Sequence, residues 1–233
     1  VSGWSAGGNL NTPRGQLAGA GIQTAALAFG GEAPPGVQNS TEEYNGSSWT
    51  AGGNLGTARN RIAGCGTQDA GLAIGGAKPA LATETEEYDG SSWTSGGALP
   101  TATRGMAAAG TQTLAAAFGG IATADTNATY EYDGSSWTAG GNLTTGRRYL
   151  SGCGTQTASL AFGGYDGSAY RDLTEEYNGS SWTAGGALNT ARSGFAGAGI
   201  QTSALGFGGY RPAKTDETEQ YDGSSWTVLP ATL

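Results

Sequence analysis

Arginine recurs at one place in a repeating pattern, at Arg14, Arg59, Arg147 and Arg192, with Arg104 one position later in the third copy. A guanidinium is a planar fork of donors that can grip a carboxylate through two parallel hydrogen bonds. The fourth and fifth copies add Tyr149, Tyr165, Tyr170, Arg171, Tyr210 and Arg211. Phenol rings offer flat apolar faces with a polar edge, so tyrosines beside arginine forks could stack on sugar rings or clamp carboxylates. These residues are the candidate binding site. The competing expectation is structural: the arginines pair with glutamates at a second repeat position (Glu42, Glu43, Glu86, Glu87, Glu131, Glu175, Glu176 and Glu219) and tie the repeats together.

Other chemistry is excluded by composition. The chain has no histidine, which removes the usual general base, serine–histidine nucleophiles and most zinc or copper sites. No phosphate-cradling G-x-x-x-x-G-K-[ST] motif is present. No catalytic residue, metal or cofactor is expected. The surviving enzymatic alternative is a carboxylate glycosidase or a sialidase-like site with a tyrosine nucleophile, but "YDGSSW" has the wrong Asp-to-Gly spacing for a sialidase Asp-box. A net charge of −8 with only two lysines, Lys78 and Lys214, opposes nucleic-acid binding. No apolar run is long enough to span a membrane. The chain opens on Val1, so it is expected to be a trimmed or excised domain, and its targeting is not read. Cys65 and Cys153 replace the alanines of other copies and are expected to be buried, unpaired thiols.

The elements that must position these residues follow from the repeat. Trp4, Trp49, Trp93, Trp137, Trp182 and Trp226 lie 44 or 45 residues apart, a period of solenoids and propeller blades. Each copy divides into four short extended segments. Segment a alternates Ala and Gly ("AGAG", "AGCG"), b carries apolar residues two apart ("SALGFGG"), c reads "TEEY" and d "SSWT". Period-two patterning between turn residues specifies β-strands throughout. The c–d turns are Asn45-Gly46, Asp89-Gly90, Asp133-Gly134, Asn178-Gly179 and Asp222-Gly223, pairs that accept the positive φ of tight hairpins. Asn and Asp interchange there, so the position needs a short hydrogen-bonding side chain rather than a charge.

The diglycine that closes segment b (Gly30-Gly31, Gly75-Gly76, Gly119-Gly120, Gly163-Gly164, Gly208-Gly209), followed by a Tyr and then a Trp, resembles the kelch repeat in all five copies. Wording such as "GTQTASLAFGG" is similar to kelch-like arrays of marine phage and environmental sequences. The resemblance implies an all-β, five-bladed β-propeller of four-stranded antiparallel blades over residues 1–233, with strand a innermost and d outermost. The copper oxidases of this architecture depend on histidine, so their chemistry is not carried over. The Ala/Gly inner strands fit a narrow axis, and closing the ring would hide the end faces of the array.

One count does not balance: six Trp segments against five of a, b and c. The Trp226 segment is expected to complete the last blade through a local hairpin, leaving the Trp4 segment displaced or paired with another molecule. The b–c loops vary most between copies and share a face with the d–a crossovers, so a ligand is expected there. Gln23, Gln68, Gln112, Gln156 and Gln201 mark the a–b turns of the opposite face, where each is expected to satisfy neighbouring backbone groups. The expected function is a non-enzymatic interaction propeller for a glycan or a protein surface, monomeric, with strand exchange through its ends as a further route. The alternative is a structural or display unit of a virion or larger surface protein, and an extracellular or virion-surface location suits both.

Overall fold

The computed structural model describes residues 4–230. They form five four-stranded antiparallel sheets in the strand order a-b-c-d, arranged as a β-propeller with no helix among the described residues. Blade 1 consists of Ala18–Ile22, Ala25–Phe29, Thr41–Tyr44 and Trp49–Ala51, and blade 2 of Ala63–Gly66, Gly71–Ile74, Thr85–Tyr88 and Trp93–Ser95. Blade 3 consists of Ala107–Gly110, Ala115–Phe118, Thr129–Tyr132 and Trp137–Ala139. Blade 4 consists of Ser151–Thr155, Ala158–Phe162, Thr174–Tyr177 and Trp182–Ala184, and blade 5 of Ala196–Ile200, Ser203–Phe207, Thr218–Tyr221 and Trp226–Leu229.

Register is set by the turns. Asp89 accepts hydrogen bonds from the Ser91 and Ser92 N–H groups, and Gly90 takes φ +87°. This places Tyr88 opposite Trp93, and every copy repeats the pairing. The Ser92 and Ser91 donors hold the Asp89 carboxyl down at about 2. Because Asn45 and Asn178 make the same backbone contacts, the turn uses an acceptor and not a charge.

Blades 2, 4 and 5 each lock onto the one before through aromatic packing. Trp93 packs at a tilt against Phe29 at 4.9 Å, Trp182 edge-on against Phe118 at 4.8 Å and Trp226 at a tilt against Phe162 at 4.8 Å. The indole N–H groups of Trp93, Trp137, Trp182 and Trp226 each donate to the first threonine of strand c in the preceding blade, at 2.9 Å. The glycines of strand a make room for this packing: a Cβ on Gly64 would lie 2.6 Å from the Phe29 ring, and one on Gly152 2.6 Å from Phe118. The small inner strand therefore seats the neighbouring blade's phenylalanine, a tighter constraint than crowding at the axis. Cys65 and Cys153 occupy these strands as buried, unpaired thiols. Burial pushes both up to about 12, leaving them protonated and unreactive.

The inner strands of blades 1 to 5 pack side by side in sequence order, but those of blades 5 and 1 do not pack in this way. Blade 5 is completed by its own Trp226–Leu229. The Trp4 segment lies between blades 5 and 1. Its indole meets Phe207 at 5.0 Å and donates to Thr218 Oγ1 at 3.3 Å, the contacts that Trp93, Trp182 and Trp226 make to the blade before them. At its other end Asn11 donates to Glu42, as Asn189 does to Glu219. The segment is thus neither displaced nor part of blade 5. It holds the outer-strand position of one further sector, whose positions a, b and c no described residue occupies.

Candidate functional site

The b–c loops and d–a crossovers do share one face. Bridges join Gly15 to Glu32, Asn60 to Ala77, Arg104 to Ile121, Arg148 to Tyr165 and Ser193 to Tyr210. The recurrent arginines, however, do not line it. Arg14, Arg59, Arg147 and Arg192 have fully buried side chains paired with Glu42, Glu86, Glu175 and Glu219. Each crossover enters its blade beside the "TEEY" strand, so the guanidinium reaches the first glutamate there. Arg59 donates to Glu86 Oε1 at 2.7 Å, to the Gly75 carbonyl at 2.7 Å and to the Glu84 carbonyl at 2.8 Å. Its own carbonyl accepts from Gly31 of the preceding blade, so the residue stitches two blades. Burial raises the Glu42 carboxyl, but the Asn11 N–H and the Arg14 guanidinium outweigh it and hold the group below its ordinary value.

Blade 3 shows why these residues form a pair. Thr103 stands in the arginine position and Tyr130 in that of the glutamate, and both partners have changed together. The Tyr130 hydroxyl donates to Thr101 Oγ1 at 3.1 Å. A neutral pair there leaves no buried charge alone, which is the costly state. The second glutamate of each strand serves the next blade. Glu43, Glu87, Glu131 and Glu176 accept from the hydroxyls of Tyr88, Tyr132, Tyr177 and Tyr221 at 2.5 to 2.7 Å. Burial, with that bond to a carboxylate, pushes these four phenols up to about 12.

The remaining candidates do gather on the loop face. Tyr165 packs on Tyr170 at 5.3 Å and Tyr170 on Tyr210 at 5.7 Å, spanning the loops of blades 4 and 5. Tyr210 is 46 % exposed. Partial desolvation, then the neighbouring phenols of Tyr210 and Tyr165, raises the Tyr170 hydroxyl above its ordinary value. Arg171 is drawn to Asp166, and Arg211 reaches Glu217 at 3.2 Å while keeping an exposed side chain. Tyr149 stands apart from this cluster, held at φ +54° between the guanidiniums of Arg61 and Arg148, each 5.9 Å from its ring.

Sequence reading missed Arg148, which lies over Tyr165 at 5.0 Å and pairs with Asp125 at 2.7 Å. The doubled arginine of "TTGRRYL" was the available signal: the first is internal, and the second projects to the loop face. On the opposite face Gln68, Gln112, Gln156 and Gln201 each donate to two carbonyls of the preceding blade, at 2.6 to 3.2 Å. The glutamines thus satisfy backbone, as expected. No cluster of three potential metal ligands occurs among the described residues, and no helix there is long and apolar enough to cross a membrane. Compared with models of protein families and with curated proteins, the chain matches none.

Proposed function

We propose that this chain is a non-enzymatic binding propeller of kelch type, and that it recognises glycans through the tyrosine cluster of blades 4 and 5. The observation that carries this reading is the run Tyr165, Tyr170 and Tyr210 on the loop face, with Arg171 and Arg211 at its margin. Phenols set tilted and edge-to-face, with Tyr210 exposed, suit the apolar face and hydroxyl rim of a sugar ring. The kelch assignment is supported by the diglycine, Tyr and Trp recurring at the blade period. A binding role without turnover is supported by the absence of histidine and by pairing of loop carboxylates: Asp125 with Arg148, Asp166 with Arg171, Glu217 with Arg211 and Glu84 with Lys78.

Screening the full chain against a glycan panel tests the proposal. Binding should fall at least tenfold in Tyr170→Ala and Tyr210→Ala, with the melting temperature little changed. No glycan bound, or binding indifferent to both substitutions, would reject it, and retention of a protein surface instead would reassign the cluster. The second reading, a unit of a larger assembly, is favoured by the open side between blades 5 and 1.

A further inference from the structure

The sector between blades 5 and 1 is bounded by groups whose counterparts elsewhere are all partnered. Gln23, at the a–b turn of blade 1, makes no side-chain hydrogen bond among the described residues, whereas the other four glutamines each make two. Trp49 donates to the Gly8 carbonyl instead of a threonine. The Tyr44 hydroxyl has no glutamate to donate to, unlike its four equivalents. On the blade 5 side, Gly209 N–H lacks, among the described residues, the crossover carbonyl that Gly31, Gly76, Gly120 and Gly164 each find in the next blade.

Main-chain bonds between blades tell the same story. Arg61 N–H donates to Gln16 O, Gly105 to Arg61, Tyr149 to Gly105 and Gly194 to Tyr149. The relay stops with the Gln16 N–H and the Gly194 carbonyl unused among the described residues. Large exposed apolar side chains belong to the elements that border it: Trp4 is 67 % exposed, Ile22 of blade 1 67 % and Ile200 of blade 5 57 %. A cavity of about 390 Å³ opens on the same side of blade 5, against Leu205 and Leu229.

We infer that this sector is a docking site for a three-stranded segment of the same repeat, strands a, b and c, that comes from outside the described residues. The chemistry of the occupant is specified group by group. Its strand c must pair with the outer-strand segment Trp4–Ala6, as Thr85–Tyr88 pairs with Trp93–Ser95. That strand must carry a threonine for Trp49 and a glutamate for Tyr44. Its a–b turn must carry a glutamine for the carbonyls of Ala204 and Tyr221, since Gln68, Gln112, Gln156 and Gln201 serve the same two places on blades 1 to 4. This is strand addition to a sheet edge, with main-chain bonds giving affinity and the flanking blades giving specificity. It stands independently of the glycan reading, which concerns the loop face.

The test adds a peptide of residues 59–89 of this chain, which contains Gln68, Thr85 and Glu87, to the intact protein. One-to-one saturable binding is expected, with a blue shift of emission that is lost in Trp4→Phe and a rise in melting temperature. Tyr44→Phe in the protein should weaken binding about fivefold, the worth of one hydrogen bond, and Gln23→Ala, which removes two, by more than that. Absence of any shift, or equal binding of a scrambled peptide, would overturn the inference. So would sedimentation showing a dimer with Trp4 already shielded, because a second copy would then own the sector. Joining the same segment after Leu233 through a flexible Gly-Ser linker repeats the test without dependence on peptide solubility, and an unchanged melting temperature there would also overturn it.

Discussion

Between blades 2 and 3 the repeat's inter-blade hydrogen bonds are all made, with Ile74 standing where the other blades have phenylalanine. Gln112 bonds the Gly71 and Tyr88 carbonyls, Tyr132 donates to Glu87, Trp137 to Thr85 and Gly76 to the Thr103 carbonyl. Between blades 5 and 1 only the Trp4 segment spans the space among the described residues, which leave the corresponding groups of both blades open. The residue types on the two sides are nearly the same: blades 1 and 5 both begin with "AGAGI", yet most of their inner-strand residues are exposed or half-buried while the alanines of Ala107–Gly110 in blade 3 are buried. The difference teaches that a blade of this type is not self-sufficient. Its inner strand holds too little side chain to form a core alone and becomes buried where the preceding blade's sheet and the next blade's inner strand flank it on both sides.

The largest effect should come from that aromatic packing. Phe118→Ala, within the sealed seam of blades 3 and 4, is expected to cost about 3–5 kcal/mol, whereas Phe207→Ala, which faces the open side, should cost well under half as much. Urea denaturation of both variants checks this, and equal losses would erase the distinction. Next come the buried ion pairs. Arg147→Met leaves Glu175 buried without its partner and should cost about 3–5 kcal/mol. The double change Arg147→Thr with Glu175→Tyr, which copies blade 3, should recover most of that loss. A double variant as unstable as the single one would show that blade 3 owes its neutral pair to another compensation.

Smaller effects sharpen the comparison at single hydrogen bonds. Gln112→Ala should lower stability by about 1–2 kcal/mol, because two buried carbonyls lose their donor, whereas Gln23→Ala should change it by less than about 0.5 kcal/mol. The pH dependence follows from the seam tyrosines. Tyr88, Tyr132, Tyr177 and Tyr221 are held up at about 12, above the ordinary value of 10.0. Folding therefore favours the protonated phenol. Its contribution is complete below pH 10 and is lost as the pH climbs through 12. Melting temperature should fall across that window, and less steeply when the four residues are replaced by phenylalanine. An unaltered slope in that variant would assign the alkaline loss elsewhere.

Much of the architecture was legible because the repeat states it repeatedly. The Asn/Asp-Gly turns, the Tyr–Trp pairing and the diglycines each occur at a fixed place, so local propensity and period agree on strand order. The arginines were harder. Recurrence marks a position as required but does not tell whether the side chain points to solvent, and only the change at Thr103 and Tyr130 together betrays a buried pair. The tyrosine cluster was legible as loop composition, while Arg148 was masked by its buried neighbour Arg147. The surplus tryptophan segment was visible as an unbalanced count. Its placement depends on contacts to two blades at once, Phe207 and Thr218 on one side and Glu42 on the other, which no local pattern encodes.

The main-chain relay offers the most direct measurement of the open sector. Amide hydrogen exchange resolved by residue should find Arg61, Gly105, Tyr149 and Gly194 protected, each donating to the blade before it, and Gln16 exchanging at the rate of an unbonded amide. Protection of Gln16 equal to that of the other four would mean that blade 5 closes directly on blade 1, and would contradict the account.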